Sequence, residues 1–165
     1  MPRGARLREA NSYDKQVLDS VSLRILVELE ANARLTLADL GRRIGMSPPA
    51  VAERVQRLER AGVIVGYRAE IDPKALGYSV AAVVRIRPAP GQLRRIPEVA
   101  AETSEVVECY RITGEDCFLM KLHLRRMEDL EDILDRFTPY GLTTTSIIHS
   151  APVPRRPLPL EASGS

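Results

Sequence analysis

The sequence predicts an α+β protein built from two small domains. Two changes of rhythm carry that reading. Between residues 18 and 62, apolar residues recur at helical spacing in three short segments. From residue 78 onward, short apolar runs rich in β-branched residues alternate with two further helical patterns. Between these parts, "VIVGYRAEI" reads as a short strand or ribbon that stops at Asp72-Pro73.

The chain has 165 residues, enough for one large domain or two small ones. Hydrophobic residues make up 44%, so packed cores are expected. There is no Trp and there are only two Phe, so those cores must be aliphatic. The net charge of +2 permits a nucleic-acid partner without demanding one, because the distribution of charge decides that question. No export signal and no membrane-length apolar run stands out, and two cysteines make no disulfide framework. A soluble cytoplasmic protein is the expectation.

Residues 1–17 read as a flexible arm with a mild positive bias, and the first domain then spans 18–66. Its first helix places Leu18, Val21, Ile25, Leu26 and Leu29 on one face and ends at Asn32. The second opens on Thr36 with Asp39 three residues on, close to a capping box. Leu37, Leu40 and Ile44 form its inner stripe. Gly41 faces the same way and would let another helix approach closely. Gly45 supplies the exit. The third helix takes Ser47 as N-cap and Pro48 at its first position, where a missing amide costs little. Val51, Val55 and Leu58 turn inward, and Gly62 ends it. Two short helices joined through Gly45-Met46-Ser47 fit a helix-turn-helix, with the following ribbon as a wing or a lead-out. Residues 67–77 are assigned as that linking ribbon.

The second domain, 78–150, reads in order as "YSVAAVVRI" (strand), "PGQLRRIPEVAAET" (helix, its middle put in doubt by Pro97), "EVVECYRI" (strand), the turn "TGED", "CFLMKLHL" (strand), "RMEDLEDILDRF" (helix, with Met127, Leu130 and Phe137 inward) and "TTTSIIHS" (strand). That βαββαβ order predicts a ferredoxin-like unit. Two helices cover one sheet face. Neither face of the first strand is polar, so dimerisation through the other sheet face is expected. Residues 151–165 form a proline-rich tail, with the last five expected to be disordered.

With Val51, Val55 and Leu58 inward, Pro49, Glu53, Gln56, Arg57 and Arg60 point outward, with Ala50 and Arg54 on the flanks. Ser47, Pro49 and Ala50 are small enough to bring the helix end close to a groove. Gln56 and Arg57 are long enough to reach base edges, and Glu53 can accept from cytosine or orient Arg57. Arg42, Arg43, Arg54 and Arg68 suit phosphates. The competing reading is a solvated helix face. In the second domain, Gly114 exposes backbone to a ligand, Glu115 and Asp116 supply acids, and Thr144, Thr145 and Ser146 supply hydroxyls. The competing reading there is a plain turn beside a threonine-rich strand. Cys109, Cys117, His123 and His149 lack paired ligand spacing, so no metal is expected. No nucleophile-base-acid set is evident, and no cofactor is expected. A metabolite-binding protein without DNA function, or a small enzyme on the second domain, is the alternative class.

The segment "RLTLADLGRRIGMSPPAVAERVQRLERAGVIVGYRAEIDPKALG", followed by "RITGEDCFLMKLHL" and "RFTPYGLTTTSIIHS", resembles the leucine-responsive regulator/AsnC family of transcription factors over about residues 18–157. The resemblance implies a winged helix-turn-helix that binds double-stranded DNA. It also implies a βαββαβ domain that dimerises and assembles further, commonly to octamers, and a small effector, usually an amino acid, held near dimer interfaces. It places Ser47, Pro49, Ala50, Arg54 and Arg57 on the recognition helix. Thr113, Gly114, Glu115, Asp116 and Cys117 fall on the effector loop, with Thr144, Thr145 and Ser146 beside it. Two departures stand out. Ser22 replaces an acid common in the first helix, and Cys117 replaces an aspartate, which removes a carboxylate that could meet an ammonium group.

Overall fold

The computed structural model describes residues 17–160. The predicted N-terminal arm, apart from Val17, and the last five residues lie outside them. Two compact units emerge. The first runs to Ala69 and takes in the tail from Arg155; the second is Glu70–Pro154.

In the first unit, α1 (Ser20–Ala31), α2 (Leu37–Ile44) and α3 (Pro48–Arg60) enclose Ile25, Leu40, Ile44, Val51, Val55 and Leu58. Each start has a local cause. Asp19 caps α1 by accepting from the Ser22 amide at 2.7 Å. Thr36 caps α2, its hydroxyl oxygen accepting from the Asp39 amide at 3.1 Å and donating to the Asp39 carboxylate at 2.6 Å. Ser47 occupies the N-cap of α3 but makes no side-chain capping bond, so Pro48 and the favourable φ of that position start the helix unaided. Leu37, placed on the inner stripe by periodicity, is 43% exposed. It is the first residue of α2, before the helix has turned its stripe onto the core.

Gly41 does admit a close neighbour: the turn comes nearest, and the Pro48 nitrogen at the start of α3 would lie 3.6 Å from a Cβ there. A Cβ built at Gly41 would lie 2.5 Å from the Met46 carbonyl oxygen. The chain leaves α2 through Gly45 at φ 76°, and the Gly45 and Met46 amides both donate to the Gly41 carbonyl. Residues 63–71, read as a strand or ribbon, have no strand partner within the chain among the described residues, and the linking ribbon assigned to 67–77 contains a 3-10 turn at Pro73–Leu76. A strand exists only by pairing, and no neighbouring segment of the same chain supplies one.

The second unit is β1 (Val80–Pro88), α4 (Arg95–Glu102), β2 (Val106–Arg111), β3 (Phe118–Leu124), α5 (Asp129–Asp135) and β4 (Gly141–Ile147). Its antiparallel sheet has the order β2-β3-β1-β4, a ferredoxin-like arrangement. Pro97 is tolerated because α4 starts at Arg95, which leaves proline in the first turn, where its missing amide would have no helical acceptor. Ala82, Val84, Ile86, Phe118, Met120, Leu122 and Leu124 point to one sheet face and pack with Ile96, Ala100, Ile133 and Phe137. Met127, expected inward, precedes α5 and is 47% exposed. The other sheet face is less apolar than β1 alone suggests. Ala81, Val83, Leu119, Tyr110 and Leu142 share it with Arg85, Arg87, Lys121, His123, Glu108, Thr144 and Ser146, because only the N-terminal half of β1 is apolar on both sides.

Gly41→Ala is expected to destabilise the full chain by about 1–3 kcal/mol in urea melts, since the Met46 carbonyl must give way. A loss under 0.5 kcal/mol, as ordinary surface substitutions show, would mean that the turn can relax freely.

Candidate nucleic-acid interface and effector turn

The outer face of α3 develops as its periodicity requires. Pro49, Glu53, Gln56, Arg57 and Arg60 are exposed, and Ala50 is half-buried at the flank. Arg57, Gln56 and Glu53 have no side-chain partner among the described residues, and the Arg60 Nε donates to the Gln56 carbonyl at 3.3 Å. The first turn, with Ser47, Pro48 and Pro49 exposed, presents little side-chain bulk.

The remaining arginines divide. Arg42 extends into solvent from α2 and pairs with Asp39. Arg43 pairs with Glu28 of α1 at 2.7 Å. Both pairs are solvated and easily exchanged for a phosphate. Arg68 is exposed in the 65–72 stretch, away from the helix pair in sequence. Arg54 corrects the expectation. Its guanidinium lies 2.6 Å from Asp19 and donates to Ser22 Oγ at 3.4 Å, so it ties α3 to the cap of α1 instead of standing free for a phosphate. Ser22 is fully buried, and its small side chain leaves room for that reach.

The Arg54 guanidinium, hydrogen-bonded to Asp19, is the main reason that carboxyl is held down at about 2; the Ser22 amide adds to the effect and partial burial opposes it. Tyr67 donates to Glu59 at 3.0 Å, and burial together with that carboxylate pushes the phenol up to about 12.

In the second unit the Ile112 amide donates to the Cys117 carbonyl at 2.8 Å and closes the turn. Gly114 sits at the crest with φ 112°, a conformation side chains resist, and with open space where a Cβ would stand. The acids of the turn are already engaged. Glu115 pairs with Arg87, and Asp116 lies 3.5 Å from Arg85 and 3.7 Å from Arg87. These two arginines were missed from the sequence. The signal was their spacing of two on β1, which becomes meaningful only once Ile86 is seen opposite Phe118 at the start of β3.

The hydroxyl trio does not act as one group. Thr144 lies opposite Arg85, and it and Ser146 face the open side; Thr145 lies opposite buried Val84 and turns toward the helices. Cys117 packs against the core of this unit, with its thiol 3.9 Å from the Glu115 carbonyl. Cys109 and Cys117 are both free thiols. A groove of about 720 Å³ lies elsewhere, between α4 and β2, lined in part by Leu93, Arg94, Pro97, Cys109 and Arg111. No described helix is long and apolar enough to cross a membrane.

A capped helix pair with an unpaired arginine on its second helix, in one chain with a ferredoxin-like domain, defines a helix-turn-helix regulator carrying a sensory domain. The comparisons agree. Residues 18–65 match the winged helix-turn-helix DNA-binding model, and residues 81–158 match the Lrp/AsnC ligand binding domain. The HTH-type transcriptional regulator LrpC of Bacillus subtilis is 36% identical over 81% of this chain and 92% of its own length. Its solved structure superposes with a TM-score of 0.78, covering 81% of this chain and 96% of that one. The HTH-type transcriptional regulator LrpA of Mycobacterium tuberculosis is 37% identical over 81% of this chain and 90% of its own length. A feast or famine regulatory protein from M. tuberculosis, solved in complex with L-methionine, is 35% identical with a TM-score of 0.80, covering 86% of this chain and 98% of that one. The chain belongs to the Lrp/AsnC family of transcriptional regulators.

The Asp19–Arg54 pair has a pH consequence. A carboxyl depressed on folding contributes stability that is full above its unfolded value of 3.8 and is lost as pH falls toward about 2. The Asp19 side chain is 38% exposed. After discounting for solvent screening, the pair is worth about 1 kcal/mol at neutral pH. Asp19→Asn should therefore lower stability by about that amount at pH 7 and by little near pH 2. Urea melts at both values check this, and a loss that is equal at both would remove the ion pair as its cause.

Proposed function

We propose that this regulator binds duplex DNA sequence-specifically as a dimer or larger assembly, with octamers as the larger form. In this reading a small amino acid, held at the 113–117 turn, shifts assembly or DNA affinity. The regulator works in the cytoplasm. One observation carries the DNA reading: α3 presents Arg57 and Gln56 exposed and without side-chain partners, next to a small-residue first turn. Arg57 and Gln56 read base edges, with Glu53 orienting or accepting. Ser47, Pro49 and Ala50 set the approach of the helix end, and Arg42 and Arg43 take phosphates. A two-fold assembly implies a roughly palindromic site. Dimerisation uses the sheet face that α4 and α5 leave uncovered.

The effector reading is supported by the left-handed Gly114, by the Arg85, Arg87, Glu115 and Asp116 charges beside it, and by Thr144 opposite Arg85 on the same face. An α-amino acid needs an acid for its ammonium and donors for its carboxylate, and this group contains both. The methionine complex of the mycobacterial relative supports the same ligand class. An effector acts only through its differential affinity for two states.

Titration of genomic fragments at several salt concentrations tests DNA recognition. Arg57→Ala should cost about 1–3 kcal/mol at the preferred site and relax its sequence preference. Arg42→Ala should weaken all sequences alike and reduce the salt slope by about one. Affinity no better than for random DNA under every condition would sink the proposal.

A thermal-shift panel of the amino acids, L-methionine included, tests the effector. Stabilisation should grow with ligand concentration as native-state binding requires, and Gly114→Gln should abolish it. Binding indifferent to that substitution would place the effector elsewhere.

A further inference from the structure

The tail carries two arginines that the rest of the fold leaves unpartnered. Arg155 and Arg156 stand between Pro154 and Pro157, with Pro152 and Pro159 further out. Both arginines are exposed, and neither has an ion-pair or hydrogen-bond partner among the described residues. Residues 151–160 contain no acid; the nearest ones in sequence are Asp135 and Glu161. None of the amides or carbonyls of 151–160 bonds to another backbone group among the described residues, and the stretch forms no helix or strand. It follows β4 of the second unit, yet from Arg155 onward it belongs to the first unit, with the three helices.

Proline makes this stretch a stiff arm. Each proline fixes its own φ at about −65° and drives the residue before it out of the helical region. Arg155 therefore follows a fixed residue, and Arg156 is held extended by Pro157. Such a chain rises about 3.1 Å per residue with about three residues per turn, so neighbouring side chains diverge by about 120°. A preorganised arm loses little freedom on binding.

We propose that this arm lies in the minor groove of an A·T-rich segment flanking the site that α3 reads. One arginine reaches the groove floor and the other meets a phosphate on the groove wall. The proposal rests on the DNA-binding reading above and adds a second contact to it. The floor of an A·T minor groove carries only acceptors, adenine N3 and thymine O2, and its narrow walls deepen the negative potential. A guanidinium carries only donors and is more weakly hydrated than an ammonium. Guanine sets an amino donor on the same floor, which opposes a guanidinium. On charge alone an acidic protein surface would also suit two arginines. The place of the arm in the helix-turn-helix unit favours DNA.

The test uses the full chain and duplexes that share its preferred central site. They differ in about five flanking base pairs on each side, which are A·T, G·C or inosine·C; inosine lacks the minor-groove amino group of guanine and keeps its major-groove acceptors. A·T and inosine·C flanks should bind about tenfold more tightly than G·C flanks. Arg155→Ala combined with Arg156→Ala should remove that difference, leave the preference for the central site as it was, and leave the melting temperature unchanged. An equal loss on all three flanks would reduce the arm to phosphate contact, and no loss on any would put its partner off the DNA. Either result overturns the proposal, as does an inosine·C flank that binds like G·C. If the central preference survives in those cases, the α3 reading stands; a chain that prefers no duplex to random DNA ends both.

Discussion

The first domain depends on how close one turn can come to one helix. Met46 passes its carbonyl over Gly41 at a distance no side chain would permit. That contact sets where α3 leaves the turn, and so which residues of α3 face outward. The buried stripe Val51, Val55 and Leu58 then fixes the rotation of the helix about its own axis. Arg54 locks the same rotation from the flank by reaching Asp19 at the cap of α1. Packing, the turn and an ion pair all hold Arg57 on the solvent side. The proposed base-reading role of Arg57 needs that preorganisation, because a helix free to roll would spread its contacts over several bases.

Charge is used differently in the two domains. In the first, acids hold arginines in place: Asp39 pairs with Arg42, Glu28 with Arg43 and Asp19 with Arg54. The two exposed pairs can open to a phosphate at small cost, whereas Arg54, three-quarters covered, serves the fold. In the second, β1 delivers Arg85 and Arg87 to the acids of the 113–117 turn, so the turn is tied to the central sheet rather than hanging from its own hairpin. A change at the turn is thereby coupled to the open sheet face, where Arg85 and Arg87 also lie.

Much of this was legible from residue order because the signals are local. Thr36 with Asp39, Pro48 after Ser47, and Gly45 and Gly62 as exits mark helix ends through atoms a few residues apart. The βαββαβ order follows from runs of period two and 3.6. Where local pattern misled, the cause was position within an element. Leu37 and Met127 match the stripe but stand at or before the first turn, and Thr145 belongs to a hydroxyl run that a strand must split between two faces.

The sequence by itself determined the elements, their caps, the inward stripes and the outward face of α3, because each depends on spacing along a single helix or strand. Tertiary structure alone decided which charges meet across elements. Asp19 and Arg54 are 35 residues apart, and Arg87 and Glu115 are 28 apart. No periodicity links such pairs; they become neighbours only when helices pack and strands take a register. The same reason separates Arg54 from Arg57. Both are arginines on one helix three residues apart, and only the packed neighbour on one flank makes the first a brace and leaves the second exposed to solvent.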